Sequence, residues 1–466
     1  MTGPSPAERA RASTAQQMRP PQTAKEVPRT RLPKTAAPRD TVQPAPPRPI
    51  TRDETFGPAF EAALDDQTHS IARAGNLTNV LFDGKASFTE RERLILGAER
   101  TIHLQTYIFA SDATGWRTAR LLAARAEAKP PVTVRVIYDA VGSDDTDPAI
   151  FAFMRKHGVQ VRALRETALF DRLNARWHEK NLIVDGRAAI EGGMNVGDEY
   201  SASGGGWIEK CFKKVQPEGW HDTDVRFAGP AAQEAQWDFI RNWNRLGPPL
   251  SEDEVRKALP PVPAYAGGAS VRVVQNRPND DEKDFAGTRN IERMYLLAIN
   301  EAKTSITIEN AYFVPTPKIR RALIAAAERG VHVRIMTNSA EASDLSIESY
   351  AGRYWYKDLL KAAEKLPAPH GSIEIHEMKT RMLHAKTASF DGTYVIVGSA
   401  NLNHRSMRHD SETVVGMREP ALALRMERHW DVIDEEAEPV TLETLKNDPW
   451  YIKLWSWLLH WFAYFM

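Results

Sequence analysis

The chain has a single cysteine, Cys211, in 466 residues. That excludes an intrachain disulfide and a cysteine-rich metal site, and it fits a reducing compartment. Net charge is also missing, with 61 Lys+Arg balancing 61 Asp+Glu. A general nucleic-acid binder usually carries a basic excess, so that class is disfavoured. Residues 1–50 have no aromatic residue and no apolar h-region, but hold 11 of the 30 prolines. Too little apolar mass remains there to fold, so the segment reads as a disordered basic arm with no secretory signal. Lysine is scarce: 20 Lys stand against 41 Arg.

What is present is organised. The length suggests two to three domains or one large duplicated unit. "ILGAERTIHLQTYIF" (95–109) is echoed by "LAINEAKTSITIENAYFV" (297–314), and "VTVRVIYD" (132–139) by "VHVRIMTN" (331–338). Each is a strand preceded by a helical stretch, so the expectation is an α/β protein with two similar halves, 70–247 and 270–440. The proline-rich segment 248–269 reads as the linker between them.

The C-terminus, 448–466, reads as an aromatic helix opened by Asp448 and Pro449. It carries four of the twelve tryptophans, and Lys453, Ser456 and His460 fall on one narrow polar stripe. Three placements are open: in the plane of a membrane interface, across a membrane, or docked on protein. The stripe and the tryptophans favour the interface.

One pattern occurs twice. In "HEKNLIVDG" and "HAKTASFDG", His178 and His384 precede Lys180 and Lys386 by two residues, which puts each pair on one face of a strand. Asp185 and Asp391, each followed by glycine, then form tight turns and are also candidates for a direct catalytic part. Asn195 and Asn401 follow at matching distances, beside small residues that let backbone approach a ligand. Ser399 stands where the first copy has Gly193.

Two lysines and two asparagines beside small-residue turns suit an anionic tetrahedral group such as phosphate. Choosing lysine in an arginine-rich chain points to a compact point charge. Two histidines with ordinary pKa near neutrality can divide the work of nucleophile and general acid.

The repeated H-x-K-x4-D-x6-G-[GS]-x-N resembles the signature of the phospholipase D superfamily. "EGGMNVGDEY", "WHDTDVRFAGPA", "NAYFVPTPKIRRAL" and "GSANLNHRS" resemble bacterial cardiolipin synthases. The resemblance implies a duplicated phospholipase D fold, two α-β-α sandwich halves sharing one active site at their interface. It implies phosphatidyl transfer through a phosphohistidine, with His178 as nucleophile, His384 as general acid, and no cofactor or metal. Catalytic His178, Lys180, Asp185, His384, Lys386 and Asp391 follow from it, with Asn195, Ser399 and Asn401 toward phosphate. Glu412 matches the residue that orients the motif histidine in that family; in the first half Asp222 is the candidate for the same task. The implied partners are phospholipid substrates and a membrane surface at the cytoplasmic face of a bacterial inner membrane, without nucleic acid and with the oligomeric state open. Cardiolipin formation leads, hydrolysis by a phospholipase D is the alternative, and a nuclease or a non-catalytic scaffold stands behind them.

Overall fold

A computed structural model describes residues 55–164, 176–201, 219–265, 268–277, 289–366 and 371–461. The N-terminal arm and most of the insertion around Cys211 lie outside these residues.

Fifteen strands form one continuous sheet. The first seven are β1 (Arg73–Phe82), β2 (Thr101–Thr106), β3 (Thr133–Asp139), β4 (Gln160–Leu164), β5 (Asn181–Val184), β6 (Ala188–Gly192) and β7 (Thr223–Ala228). The others are β8 (Ala269–Asn276), β9 (Ser305–Asn310), β10 (His332–Asn338), β11 (Ser372–Met378), β12 (Lys386–Phe390), β13 (Tyr394–Gly398), β14 (Glu412–Arg418) and β15 (Ala437–Pro439). Their order is β15-β11-β10-β9-β12-β13-β14-β8-β1-β7-β6-β5-β2-β3-β4. Read outward from the β1–β8 seam, both directions run the same way: a long seam strand, three antiparallel strands, then a parallel trio. β2, β3 and β4 are parallel to one another, as are β9, β10 and β11. Among the described residues β15 is the one strand without a counterpart.

The packing explains why the two sets form one body. Val80, Ile183, Val225 and Phe227 from the first set bury a common apolar cluster with Val271, Val395, Val397 and Val415 from the second. Trp243 and Trp430, from the helices Ala231–Arg245 and Pro420–Asp434, are both buried in it. The outer faces of the two sets have their own clusters, under the helix Asn290–Glu301 in one and beside Ala113–Ala126 in the other. The expected linker is partly ordered as the helix Glu252–Ala258, started by a reciprocal Ser251–Glu254 capping box.

The Asp-Gly pairs form the predicted hairpins. Asp185, Gly186, Asp391 and Gly392 all have positive φ, between 53° and 61°, as a two-residue primed turn requires. β5–β6 and β12–β13 leave these turns in register.

The helix Trp450–Leu459 rests on the helix Ser346–Ala363. Ser456 is buried, Leu459 joins the small cluster of Val314 and Ala351, and the His460 ring stacks on Tyr354 at 3.9 Å. Two members of the polar stripe therefore face protein. The aromatic face points outward, with Trp450 75% and Trp461 69% exposed. Among the described residues no helix is long and apolar enough to cross a membrane.

Candidate active site

The site forms where β5 and β12 begin, beside the carboxyl ends of the parallel strands. This is the usual place for a ligand in such sheets, because loops diverge there. The residue before each motif histidine is anchored in the same way. Asp139, the last residue of β3, accepts from Trp177 N at 3.1 Å. Asn338, the last residue of β10, accepts from Leu383 N at 2.8 Å and donates to Leu383 O at 2.7 Å.

These segments then cross between the halves. Backbone bonds join His178 N to Ser411 O at 3.0 Å and Ser411 N to Arg176 O at 2.8 Å. On the other side His221 N donates to Met382 O at 2.8 Å, and His384 N to His221 O at 2.6 Å. Each histidine is thus paired with the residue just before the other half's acid. Both oxygens of Glu412 lie 3.0 Å from His178 Nδ1, and Asp222 Oδ2 lies 2.7 Å from His384 Nδ1. Asp222 occupies the position equivalent to Glu412, since Gly192 pairs with Asp224 as Gly398 pairs with Val414. The expected pairing within each half is corrected: each acid serves the histidine of the opposite half. Motif spacing along the chain carries no information about partners across the seam.

A carboxylate on Nδ1 fixes the tautomer and leaves Nε2 of each ring as the atom available for chemistry. Both rings are held well below the ordinary imidazole range, by burial first and then by Lys180 and Lys386, each of which acts on both histidines. Burial likewise pulls Lys180 down to about 7 and Lys386 to about 8, and pushes Glu412 up to about 7. It also raises Asp222. An anionic phosphodiester arriving here restores charge to the lysines and to one histidine, because it supplies the missing counter-charge. Each lysine ammonium is steered by the carbonyl of its own motif histidine.

Several assigned residues do other work. The Asp185 carboxylate accepts from the backbone N–H groups of Glu99, Arg100 and Thr101 at 2.7–2.9 Å. Asp391 does the same for Lys303, Thr304 and Ser305. Both sit at the hairpin tip, five residues beyond the motif lysine and roughly 16 Å along an extended strand. A catalytic part is replaced by a structural one: they hold the turn and the start of β2 or β9. Ser399 donates to Glu412 Oε2 at 2.5 Å and Ser406 to Glu412 Oε1 at 2.6 Å, so Ser399 braces the orienting acid rather than reaching for phosphate. Its counterpart Gly193 is bare because the Asp222 carboxylate fills the space that a Cβ would take. Asn195 is spent on Tyr200 Oη at 2.8 Å and Ile108 N at 3.0 Å. Asn401 differs, since its Oδ1 is buried without a partner among the described residues.

The two histidines sit in unlike surroundings. Tyr107 meets His178 edge-on at 5.1 Å and lies 5.3 Å from the Lys180 ammonium. His384 is walled by Tyr200 and Trp220, both at 5.3 Å, and by Tyr312 at 6.4 Å. These rings lie in segments the sequence singles out, Tyr107 and Tyr312 just beyond β2 and β9 in the two echoed stretches, but spacing alone gives no sign that they gather round the histidines. His178 keeps 14% side-chain exposure and His384 5%. Beneath the seam His221 forms a charged cluster with Asp83 at 2.8 Å and Glu309 at 3.3 Å. Burial opposes that charge, yet the two carboxylates outweigh it and raise His221 to about 9.

A family model described as "Cardiolipin synthase, PLD-like domain" matches residues 92–202 and 295–433. A probable cardiolipin synthase of Bacillus subtilis is 29% identical over 365 residues, 78% of this chain and 67% of that protein. A cardiolipin synthase of Oceanobacillus iheyensis is 30% identical over 377 residues, 80% of this chain and 71% of the relative. A third, of Geobacillus kaustophilus, is 30% identical with 65% of its length matched, so the chain spans about two thirds of such relatives. Among solved structures, a phosphatidylserine synthase of Haemophilus influenzae covers 87% of this chain and 97% of its own at TM-score 0.62 and 14% identity, a likeness of fold.

Proposed function

Because the chain belongs to the cardiolipin synthase, PLD-like domain family, we propose that it is a phosphatidyltransferase making cardiolipin from phosphatidylglycerol and a second phospholipid. One observation carries this reading: two His-Lys pairs share one site, each histidine held at Nδ1 by an acid of the other half. His178 Nε2 attacks phosphorus, and the P–O bond to the donor's glycerol breaks as His384 Nε2 gives that oxygen a proton. The phosphatidyl group is then bound to His178. A hydroxyl of the acceptor lipid gives its proton to His384 and attacks phosphorus, which releases cardiolipin and restores both rings. Lys180 and Lys386 hold the non-bridging phosphate oxygens, and Asn401 Oδ1, buried without a partner among the described residues, is assigned to accept from the acceptor hydroxyl. The greater exposure of His178 supports it as nucleophile, since it must accept a bulky diacylglyceryl phosphate.

The lipid substrate also gives a use for the outward aromatic face of Trp450–Leu459. In this reading that face lies in the interface of the cytoplasmic leaflet, and the protein is attached peripherally. The neighbouring helix Ser346–Ala363 adds exposed Leu345 and Ile347 at its start.

The test is the lipid formed from labelled phosphatidylglycerol in vesicles. Labelled cardiolipin and free glycerol are expected. Phosphatidic acid as the sole labelled product would mean that water is the acceptor and the protein is a hydrolase.

A further inference from the structure

The duplication is broken at one pair of positions beneath His384. Ser411 and His221 make equivalent backbone bridges, Ser411 to the segment before His178 and His221 to the segment before His384. Gln105 and Glu309 are equivalent too, since Gln105 pairs with Asn181 as Glu309 pairs with Thr387. The His178 side thus has a neutral pair, Ser411 and Gln105, where the His384 side has an imidazole and a carboxylate. The side chains of His221 and Glu309 are 0% and 1% exposed, with Nε2 and Oε1 3.3 Å apart across the seam. A buried ion pair is a weak source of stability, because desolvation offsets the attraction. What this one supplies is a fixed register between the chain segments that meet there.

The rest of the cluster ties His221 to its neighbour Asp222. Asp83 begins the helix Asp83–Gly97 with φ 60°, in the left-handed region. Its Oδ1 accepts from His221 Nδ1 at 2.8 Å and from Asp222 N at 3.4 Å, and its own N–H donates to Asp222 O at 2.8 Å. Residues 221 and 222 are therefore gripped together. Arg381 faces the same place from the second half, with Nη1 3.3 Å from Asp83 Oδ2 and Nη2 3.4 Å from His221 Nδ1. Its Nε lies 3.5 Å from Glu436 Oε2. Glu309 also accepts from the Thr387 hydroxyl at 2.9 Å. The His429 ring, from the helix Pro420–Asp434, is 5.1 Å from that of His221 and is held below the ordinary imidazole range, by burial first and then by His221. Burial raises Asp222, and Lys386, the Thr223 N–H and the His221 charge act against that rise.

We propose that His221 is a positioning residue for the general acid: bonded to Asp83 of its own half and to Glu309 of the other, it fixes Asp222 beneath His384. The inference rests on the transfer reading above and adds a residue to its machinery. Fully buried, His221 cannot touch substrate. It acts through Asp222, whose Oδ2 lies 2.7 Å from His384 Nδ1. With Asp222 in place and ionised, His384 keeps its Nδ1–H toward the carboxylate and carries the Nε2 proton until the leaving oxygen takes it. On the His178 side the orienting acid Glu412 is braced by the Ser399 and Ser406 hydroxyls, and the bridging residue Ser411 carries no charge.

The experiment uses the full chain and two donors in detergent micelles: phosphatidylglycerol, and the phosphatidyl ester of p-nitrophenol, whose leaving phenolate needs no proton. The variant combines His221→Ser with Glu309→Gln, which copies the neutral pair of the His178 side and removes both members of the buried ion pair together. Thermal melting verifies its fold. In this variant kcat for glycerol release should fall about thirtyfold or more, part of the roughly 10²–10⁴-fold that a positioned acid contributes, with KM within about threefold. The single-turnover burst of p-nitrophenolate should stay within about threefold of the wild type, because that step draws no proton from His384. The acid limb of kcat should move to higher pH, since loss of the His221 charge lets Asp222 take up a proton sooner as pH falls. Equal losses with both donors, an unmoved acid limb, or glycerol release within about threefold of the wild type overturn the inference and leave the transferase intact. Where the double variant does not fold, Asp83→Asn, which keeps the His221–Glu309 pair, is read by the same comparison of donors with the same outcomes. Wild-type protein that releases neither glycerol nor p-nitrophenol overturns the transfer reading itself.

Discussion

Glu412 and His178 stand 234 residues apart in the chain, yet the carboxylate receives the His178 Nδ1–H with both oxygens at 3.0 Å. The reciprocal bond joins Asp222 to His384. Neither half can therefore orient its own histidine. Glu412→Gln should shift the tautomer balance of His178, seen as displaced imidazole nitrogen resonances, while His384 keeps its signals. Movement of the His384 resonances with His178 unmoved would mean that each acid serves its own half.

Asp185 and Asp391 are predicted to matter for stability rather than for chemistry. Replacing either by alanine takes the carboxylate acceptor away from three backbone N–H donors and puts a less tolerant residue at positive φ. A loss of about 1–3 kcal/mol per substitution is expected, with the lower figure where water replaces the lost bonds. Melting temperature should fall while specific activity of the folded fraction stays within about fivefold. Unchanged melting with a hundredfold loss of activity would restore the catalytic assignment.

The pH profile follows from the lysines. In the free site burial brings Lys180 to about 7 and Lys386 to about 8. The protonated form binds phosphate, so affinity is lost as pH rises through these values. The kcat/KM profile, which reports the free enzyme, should decline from about pH 7, as Lys180 and then Lys386 lose their protons. The kcat profile should hold to higher pH, because bound phosphate raises both lysines. A kcat/KM that stays flat to about pH 10 would contradict this.

The outward face of Trp450–Leu459 can be tested without removing the helix. Trp455 and Trp457 are 50% and 52% exposed and lie outside the apolar cluster that holds Leu459. Changing both to serine forfeits a few kcal/mol of interfacial burial at about 25 cal/mol/Å². Partition onto anionic vesicles should weaken at least tenfold, with turnover of detergent-dispersed substrate retained. Unchanged partition would assign that face to another partner.

The sequence made the duplication, the hairpins and the two His-Lys pairs legible, because each depends on local spacing with a period of two. It also pointed to Asp222, although an insertion separates that residue from the motif. What it hid depends on contacts across the seam. The exchange of Glu412 and Asp222 between halves rests on the backbone bridges at Ser411 and His221. The ring wall of His384 comes from three separate segments: the short helix Asp198–Ser201, the stretch before β7 and the stretch after β9. Its place in the motif points Ser399 toward phosphate; only the position of Glu412 reveals where its proton goes. The spacing of the terminal stripe defines one face of a helix, but amphipathicity alone does not say which face meets protein.

The central claim is that phosphorus is carried by His178. Phosphorus-labelled phosphatidylglycerol should be mixed with excess enzyme, quenched in alkali within milliseconds, and the labelled peptide identified. The account predicts transient label on the peptide containing His178, accumulating in His384→Ala if its transfer step is the slower one, and no label in His178→Ala. Label on His384, or full turnover by His178→Ala, would contradict it.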